Sequence, residues 1–282
     1  NTNNNQLYCQ VLRSIGGWSL NSIIETSIYE AYLHCISEAE EFIYIENQFF
    51  ISPLDSKMKI GQAIISRIKR AFLSKSKFNV IIVLPIYPEG DIVSDPSVQR
   101  IYSYQQKTIM YIIDEIKEIT RGTLYSPNDY INFYSLRNWG ELNNHIVTEL
   151  IYVHSKVMIT DNYIICGSAN INERSMMGDR DSEIAIVFKD KENSTKLRKK
   201  LWSEHLDINI DLLHDNINDD IELWKEIANN NSKIYITLFE DSIADSEPLT
   251  LKQYTQAYSE IRSSDILLAS NLQSELKEKI KG

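Results

Sequence analysis

The sequence predicts an α/β protein, an α/β/α sandwich built on a mixed central sheet. Three observations carry this. Through the first half of the chain, short β-branched runs alternate with amphipathic helical stretches. The run Val80 to Leu84 is apolar at every position, as expected of a strand covered on both faces. From Ile131 onward, strand patterns succeed one another with little helix between them, so the sheet is expected to be mixed.

Tyr8 to Leu12 is a short β-prone run, behind which Ile24, Ile28, Ala31, Cys35 and Ala39 recur at helical spacing. Phe42 to Ile45 forms a strand that leads into the polar residues Glu46, Asn47 and Gln48. Pro53 breaks the chain before a helix from Ile60 to Leu73. Pro85 stops the strand Val80 to Leu84, and a long helix follows from Ser97 to Ile119. Ile131 to Leu136, Glu149 to Thr160, Tyr163 to Cys166 and Ile184 to Phe188 read as strands. The tail offers helices at Ser194 to His205 and Ile221 to Asn229, a loop at Asn229 to Asn231 and a β-prone piece at Ile234 to Phe239. No repeat, linker or compositional break divides the chain, so a single domain over 1–282 is expected.

A hydrophobic content of 43% supplies enough apolar surface for a packed core and excludes disorder. The formal net charge of −10 excludes general attraction to a nucleic-acid backbone, so any phosphate must be held locally. Cys9, Cys35 and Cys166 are odd in number and lack paired or metal-type spacing. They read as thiols of a reducing, cytoplasmic compartment rather than a disulfide framework or zinc site. No apolar run approaches the roughly 18 residues that cross a bilayer, and Asn1 to Asn5 has no signal-peptide character. A soluble or peripherally bound protein is expected. Because the chain opens without Met, Asn1 is read as an internal residue.

The chemistry lies in Tyr152 to Asp161, Tyr-Val-His-Ser-Lys-Val-Met-Ile-Thr-Asp. On a strand, the period of two places His154 and Lys156 on one face. An imidazole can attack phosphorus or protonate a leaving oxygen, and an ammonium neutralises the non-bridging oxygens. Neither needs a metal or cofactor. An isolated His-x-Lys is more often a solvated strand face, but here the context favours chemistry. Asp161-Asn162 suits a hairpin turn, and the next strand runs into Gly167, Ser168, Ala169 and Asn170, returning Asn170 toward His154. The small Gly167-Ser168 pair lets backbone approach a phosphate, and the Asn170 amide can donate to it. Gly178-Asp-Arg-Asp-Ser-Glu183 stands directly before the last strand. A carboxylate there could orient the imidazole by accepting its Nδ1 proton, Glu183 first and Asp181 second, with surface salt bridging as the bland alternative.

Together, His154-Ser-Lys156, Asp161, Gly-Ser-Ala-Asn-Ile-Asn-Glu-Arg-Ser and Gly-Asp-Arg-Asp-Ser-Glu resemble the second HKD motif of eukaryotic-type phospholipase D. The resemblance extends to Val11-Leu-Arg-Ser14 with Trp18-Ser19, to Ile43-Tyr-Ile-Glu-Asn-Gln-Phe-Phe50 and to Leu201-Trp-Ser-Glu-His-Leu206, and so covers nearly the whole chain. The Glu-Asn-Gln-Phe-Phe run resembles the phospholipases rather than HKD nucleases or cardiolipin synthases. The resemblance implies one phospholipase D-like lobe acting at a membrane surface. The implied reaction is hydrolysis of phosphatidylcholine or a related phospholipid to phosphatidic acid and a head-group alcohol through a phosphohistidine, with transfer to other alcohols as a side reaction. It implies His154 as the general acid/base, Lys156, Asn170 and Ser168 on the phosphoryl oxygens, and Glu183 setting the His154 tautomer. Asn47 and Gln48 would contact substrate, with Glu46 near the cleft, and Asp161 and Gly167 would be structural.

Family enzymes place two HKD histidines across a pseudo-twofold cleft, whereas His34, His145, His205 and His214 all lack a lysine two residues on. The expectation is a C-terminal catalytic half, truncated at both ends, since Lys277 to Gly282 resembles a point where the family continues. Its N-terminal HKD half would come from upstream sequence of the same chain or from a second subunit, the first being favoured. Asp161 and Gly167 are separated by one residue fewer than is usual in the family, which implies a tighter turn with the strand pair kept. A second reading is an incomplete lobe or pseudoenzyme that binds phospholipid head groups. A nuclease of the same superfamily is opposed by the acidic balance, so no nucleic-acid partner is expected. Phe49, Phe50 or Tyr87 could touch the lipid interface but read more readily as core. Regulation by calcium or phosphoinositide would belong to modules upstream.

Overall fold

The computed structural model describes residues 8–20, 23–86, 88–90, 94–143 and 145–239. Asn1 to Asn5, Tyr87 and Lys277 to Gly282, on which parts of the sequence reading rest, lie outside them. In chain order the elements are β1 (Cys9–Ile15), α1 (Gly17–Leu20), β2 (Glu25–Thr26), α2 (Ser27–Glu38), β3 (Phe42–Glu46), α3 (Ile60–Ser74), β4 (Asn79–Val83) and α4 (Pro96–Thr120). There follow β5 (Ile131–Tyr134), β6 (Arg137–Leu142), β7 (His145–Leu150), β8 (Val157–Thr160), β9 (Tyr163–Gly167), α5 (Glu173–Met176), β10 (Glu183–Lys189), α6 (Lys191–Leu206) and α7 (Ile217–Phe239).

Eight strands form one sheet in the order β2-β1-β10-β9-β8-β3-β4-β5. β3, β4 and β5 are parallel neighbours, and β8, β9, β10 and β1 continue the sheet antiparallel. The expected mixed α/β sheet is therefore present. Its strands alternate between two cores, as the pleat requires. Ile43, Ile45, Val80, Ile82, Met158 and Ile165 pack under α2, α3 and α4, while Phe42, Tyr44, Ile81, Val83, Ile159 and Ile164 pack under α6 and α7. The second core centres on Trp202 and Trp224, whose rings lie 4.9 Å apart. Among the described residues, no helix is long and apolar enough to cross a membrane.

The β8–β9 hairpin fixes the register of the sheet's centre. Ile159 pairs with Ile164 across the Asp161-Asn162 turn, so the strand pair is kept across a two-residue loop. The Asp161 carboxylate leaves that turn to accept from the backbone N–H groups of Glu40 (2.5 Å) and Glu41 (2.9 Å). These are the donors that would otherwise be unsatisfied where the chain enters β3. Asp161 thereby clamps the far end of the hairpin, about 16 Å of strand away from Lys156 at ~3.3 Å per residue.

Four expectations need correction. Glu149 to Thr160 is not one strand, because its ends have different partners. β7 pairs with β6, whereas β8 pairs with β3 and β9, and Ile151 to Lys156 crosses between them without regular structure. The β-prone Ile234 to Phe239 and the Asn229 to Asn231 loop are both helical, continuing the turns of α7 from Ile217 to Ala228 that pack on the second core. The helix expected from Ile24 begins at Ser27, because Glu25 and Thr26 pair with Ile15 and Ser14 as β2.

The packing of α6 on α7 includes a buried ion pair. Arg198 Nη1 lies 2.7 Å from Asp220 Oδ2, with both side chains at 1% exposure or less. Asp220 also accepts from the His214 backbone N–H. Removing one partner strands the other charge in the interior. Asp220→Ala is therefore expected to lower unfolding free energy by about 3–5 kcal/mol in urea titration, and Arg198→Met combined with Asp220→Leu to recover most of it. Equal midpoints for wild type and Asp220→Ala would refute this.

Candidate active site

The sheet ladders all stop at the same level on one side. There β3 ends at Glu46, β8 starts at Val157, β9 ends at Gly167 and β10 starts at Glu183. The register makes these ends neighbours, with Glu46 opposite Val157, Val157 opposite Cys166 and Gly167 opposite Ala185. The polar residues just beyond each end, Asn47 and Gln48, His154 to Lys156, Ser168 to Asn170, and Glu183 itself, are thereby gathered at one edge.

His154 and Lys156 lie just ahead of β8 rather than on a strand, a correction to the sequence reading. Their segment is still extended and alternating. Val153 and Val157 belong to the α6–α7 core, and Ser155 Oγ reaches Glu46 Oε2 at 2.6 Å on that same side. His154 and Lys156 project away from it, so the period of two survives without ladder pairing. His154 is exposed, and among the described residues its ring has no hydrogen-bond partner.

Lys156 is only 7% exposed. Its Nζ donates to Gln48 Oε1 at 3.0 Å and to the His154 carbonyl at 2.7 Å. Burial lowers the Lys156 pKa, and the nearby Glu183 carboxylate works in the opposite sense. Gln48 is in turn held by donating from Nε2 to the Tyr152 hydroxyl at 3.1 Å. That hydroxyl donor-acceptor also receives the Glu89 backbone N–H.

On the other side of Lys156, the Gly167 N–H donates to the Lys156 carbonyl at 3.1 Å. A Cβ on Gly167 would stand 2.4 Å from Ala185 Cβ, so only glycine lets β9 and β10 close here. Ser168 then binds the Ile184 carbonyl through its N–H and receives the Ile184 N–H on Oγ at 3.1 Å. Its hydroxyl donates to the Glu183 carboxylate. Glu183 is thus engaged by Ser168 rather than by the His154 ring, a correction to the expected orienting bond, because the β9–β10 register sets Ser168 beside it. Asp181, the second choice, accepts from Arg174 Nε on both carboxylate oxygens, at 2.7 and 2.8 Å. Asn170 is half-buried, and its Oδ1, buried, has no hydrogen-bond partner among the described residues.

Asn47 has no exposed surface. Its Oδ1 accepts from the backbone N–H groups of Phe49 and Ile171, both at 3.2 Å, and so ties the loop after β3 to the loop after β9. Its Nδ2, also buried, has no hydrogen-bond partner among the described residues. Phe50 is fully buried against Phe133, and Phe49 is half-buried.

The residue that sequence reasoning passed over is His205. From the last turn of α6, His205 Nε2 lies 2.9 Å from Glu46 Oε1, which also accepts from the Tyr44 hydroxyl at 2.7 Å. Burial alone would raise the Glu46 pKa, but hydrogen bonds from His205, Ser155 and Tyr44, with the His205 charge, outweigh it and the net shift is downward. A signal for this pair existed in Glu46, a carboxylate closing the otherwise apolar strand Phe42 to Ile45.

Comparison with known proteins follows this geometry. The family model described as phospholipase D matches residues 3–255. Phospholipase D B of Dictyostelium discoideum is 39% identical over 273 residues, which make up 88% of this chain and 22% of that protein. Phospholipase D zeta 1 of Arabidopsis thaliana is 39% identical over 264 residues, 82% of this chain and 24% of that protein. The chain thus spans less than a quarter of the length of either relative. The crystal structure of Nuc from Salmonella typhimurium, a phospholipase D family member, matches with a TM-score of 0.42 and 18% identity over 72% of this chain and 95% of that one.

The Glu46 shift has a sign that can be tested. A carboxylate whose folded pKa lies below its unfolded value stabilises the fold above the unfolded value and loses that contribution as pH falls through the folded one. The stability advantage of wild type over Glu46→Gln is expected to be full at neutral pH and to shrink as pH drops below the ordinary value of 4.5. Urea midpoints measured across that range check it, and an advantage that persists undiminished into strong acid would contradict a carboxylate held in its charged form.

Proposed function

This chain belongs to the phospholipase D family, and we propose that it forms one catalytic half of a phosphodiesterase that cleaves phosphatidylcholine or a related phospholipid into phosphatidic acid and a head-group alcohol. A histidine of a second HKD half, from polypeptide beyond these residues or from a second copy, attacks phosphorus and forms a P–N bond. The P–O bond to the head group breaks, and His154 gives its proton to the leaving alkoxide. His154, now neutral, takes a proton from water as the water oxygen attacks phosphorus, and the P–N bond breaks to release phosphatidic acid.

The observation that carries this reading is the Lys156 ammonium. It is nearly buried beside His154, and two of its protons go to the neutral oxygens of Gln48 and the His154 carbonyl. An ammonium carries three donors, so one remains for a non-bridging phosphoryl oxygen. Neutral acceptors fix the cation without cancelling the field that the developing phosphorane charge needs. Asn170, at the same edge, offers its amide to the phosphoryl group. Glu183 acts through Ser168 and through its charge on Lys156, and Asp161 and Gly167 hold the hairpin that presents the pair.

The single His-x-Lys in this chain favours one other reading, a lobe that binds anionic head groups without turning them over. The complete protein, assayed for phosphatidyl-alcohol formed from phosphatidylcholine and a primary alcohol, decides between them. His154→Ala is expected to lower the yield by about 10²–10⁴-fold. Vesicle binding with no product from wild type would support the head-group-binding lobe, and an unchanged yield from His154→Ala would remove His154 from the reaction. Lys156→Arg is expected to be no rescue, losing about 10²-fold or more, because a planar fork does not fit between the Gln48 and His154 oxygens. Wild-type turnover by Lys156→Arg would argue against a point charge at this position.

A further inference from the structure

The segment that presents His154 is not held by the sheet. Among the described residues, Ile151 N–H bonds the Leu136 carbonyl and the Lys156 carbonyl receives Gly167 N–H, but Tyr152 to Ser155 make no backbone–backbone hydrogen bond. Its rotation about its own axis is therefore set by side chains. Tyr152 and Lys156 are tied to Gln48, and Val153 sits in the core under α6 and α7. Ser155, between the two functional residues and on the opposite side from them, is tied to Glu46 at 2.6 Å.

Glu46 is itself built to be immobile. Its carboxylate is 5% exposed, and such a group is tolerated in the interior only when its lone pairs are engaged. Tyr44 and His205 occupy Oε1 and Ser155 occupies Oε2. An ionised carboxylate only accepts, so His205 Nε2 carries the proton of its bond. The His205 ring, 9% exposed, stands edge-on to Trp224 at 6.3 Å between ring centres, and Trp224 packs on Trp202. The line from α6 to the His154 segment thus runs through rigid groups.

We propose that His205, Glu46 and Ser155 are positioning residues that act as one unit, fixing the roll of the His154–Lys156 segment from behind so that imidazole and ammonium face the phosphate together. The proposal rests on the phosphodiesterase reading above and adds to it a histidine–carboxylate pair, His205 and Glu46, that never meets substrate. A displacement of about 1 Å in such a group costs about 10²-fold in rate, whereas ground-state binding, spread over the rest of the lipid, is affected far less.

The test uses the complete protein with Ser155→Ala, Ser155→Thr and His205→Phe, measuring kcat and KM on phosphatidylcholine vesicles alongside thermal midpoints. Ser155→Ala is expected to lower kcat by about 10–10²-fold with KM unchanged, and Ser155→Thr, which keeps the hydroxyl, to restore most of it. His205→Phe is expected to lower kcat similarly, and the double variant Ser155→Ala/His205→Phe to lose no more than the larger single loss. A lowered midpoint with kcat per folded molecule unchanged, or losses that multiply in the double variant, would overturn the proposal while leaving the phosphodiesterase reading intact. If wild type turns over no phospholipid, that reading fails, and the positioning claim is read instead from diethyl pyrocarbonate modification of His154 followed by mass spectrometry. The modification rate is then expected to rise in Ser155→Ala and return in Ser155→Thr, and identical rates in all three proteins would overturn it.

Discussion

A nearly buried ammonium must find acceptors, and the surroundings of Lys156 supply them without supplying a partner that cancels it. The Gln48 amide oxygen and the His154 carbonyl are neutral, and the carboxylate that acts on the charge among the described residues, Glu183, takes its hydrogen bond from Ser168. A direct Lys156–Glu183 bridge would leave little field for a phosphate. Each of these groups is fixed by a different element: Gln48 by its position beyond β3 and its bond to Tyr152, the His154 carbonyl by the side chains that anchor its segment, Ser168 by the β9–β10 register. The cation's availability is thus a property of the sheet's edge as a whole.

That edge depends in turn on contacts made far from it. Asp161 clamps the turn of the β8–β9 hairpin to the chain entering β3, which sets how far β8 can slide along β3. At the other end Gly167 lets β10 approach to a distance that any side chain would prevent. A slip by one residue would carry Ser155 to the cleft and His154 to the core. Both residues set the register that brings His154 and Lys156 to one edge, and on the proposed reading this is how an acidic turn residue serves a motif whose working atoms are a histidine and a lysine.

Most of the fold was legible because its strongest signals are local. Val80 to Leu84 could only be a strand covered on both faces, and the strands read from Tyr163 and Ile184 run as expected. The errors arose where a residue's partner lies far along the chain. Glu149 to Thr160 is uniformly β-prone, yet its halves serve different sheets, and nothing local marks Ile151 as the crossing. The β6 strand, Arg-Asn-Trp-Gly-Glu-Leu, was passed over because two half-exposed faces blur the alternation. His154, Lys156, Ser168 and Asn170, which the structure gathers at one edge, stand out in the sequence by type and spacing. The partners of Glu183 and Asn47 do not, since they follow from register and loop crossing, and His205 was set aside for lacking a lysine two residues on.

The two faces of the sheet divide the labour in a way the alternation of side chains makes unavoidable. Along Val153 to Val157, Val153 and Val157 pack in the core under α6 and α7 and Ser155 reaches Glu46 on that same side, while His154 and Lys156 face away from it. Any force that stiffens the odd residues therefore stiffens the imidazole and the ammonium equally, since they share one backbone. A helix packed on the rear of the sheet can in this way govern the geometry of a site it does not line. The net charge of −10 is compatible with phosphate chemistry for the same reason. On the proposed reading, the positive charge that this lobe contributes is Lys156, desolvated and aimed by packing, and its strength is set by its local acceptors rather than by the charge of the surface around it.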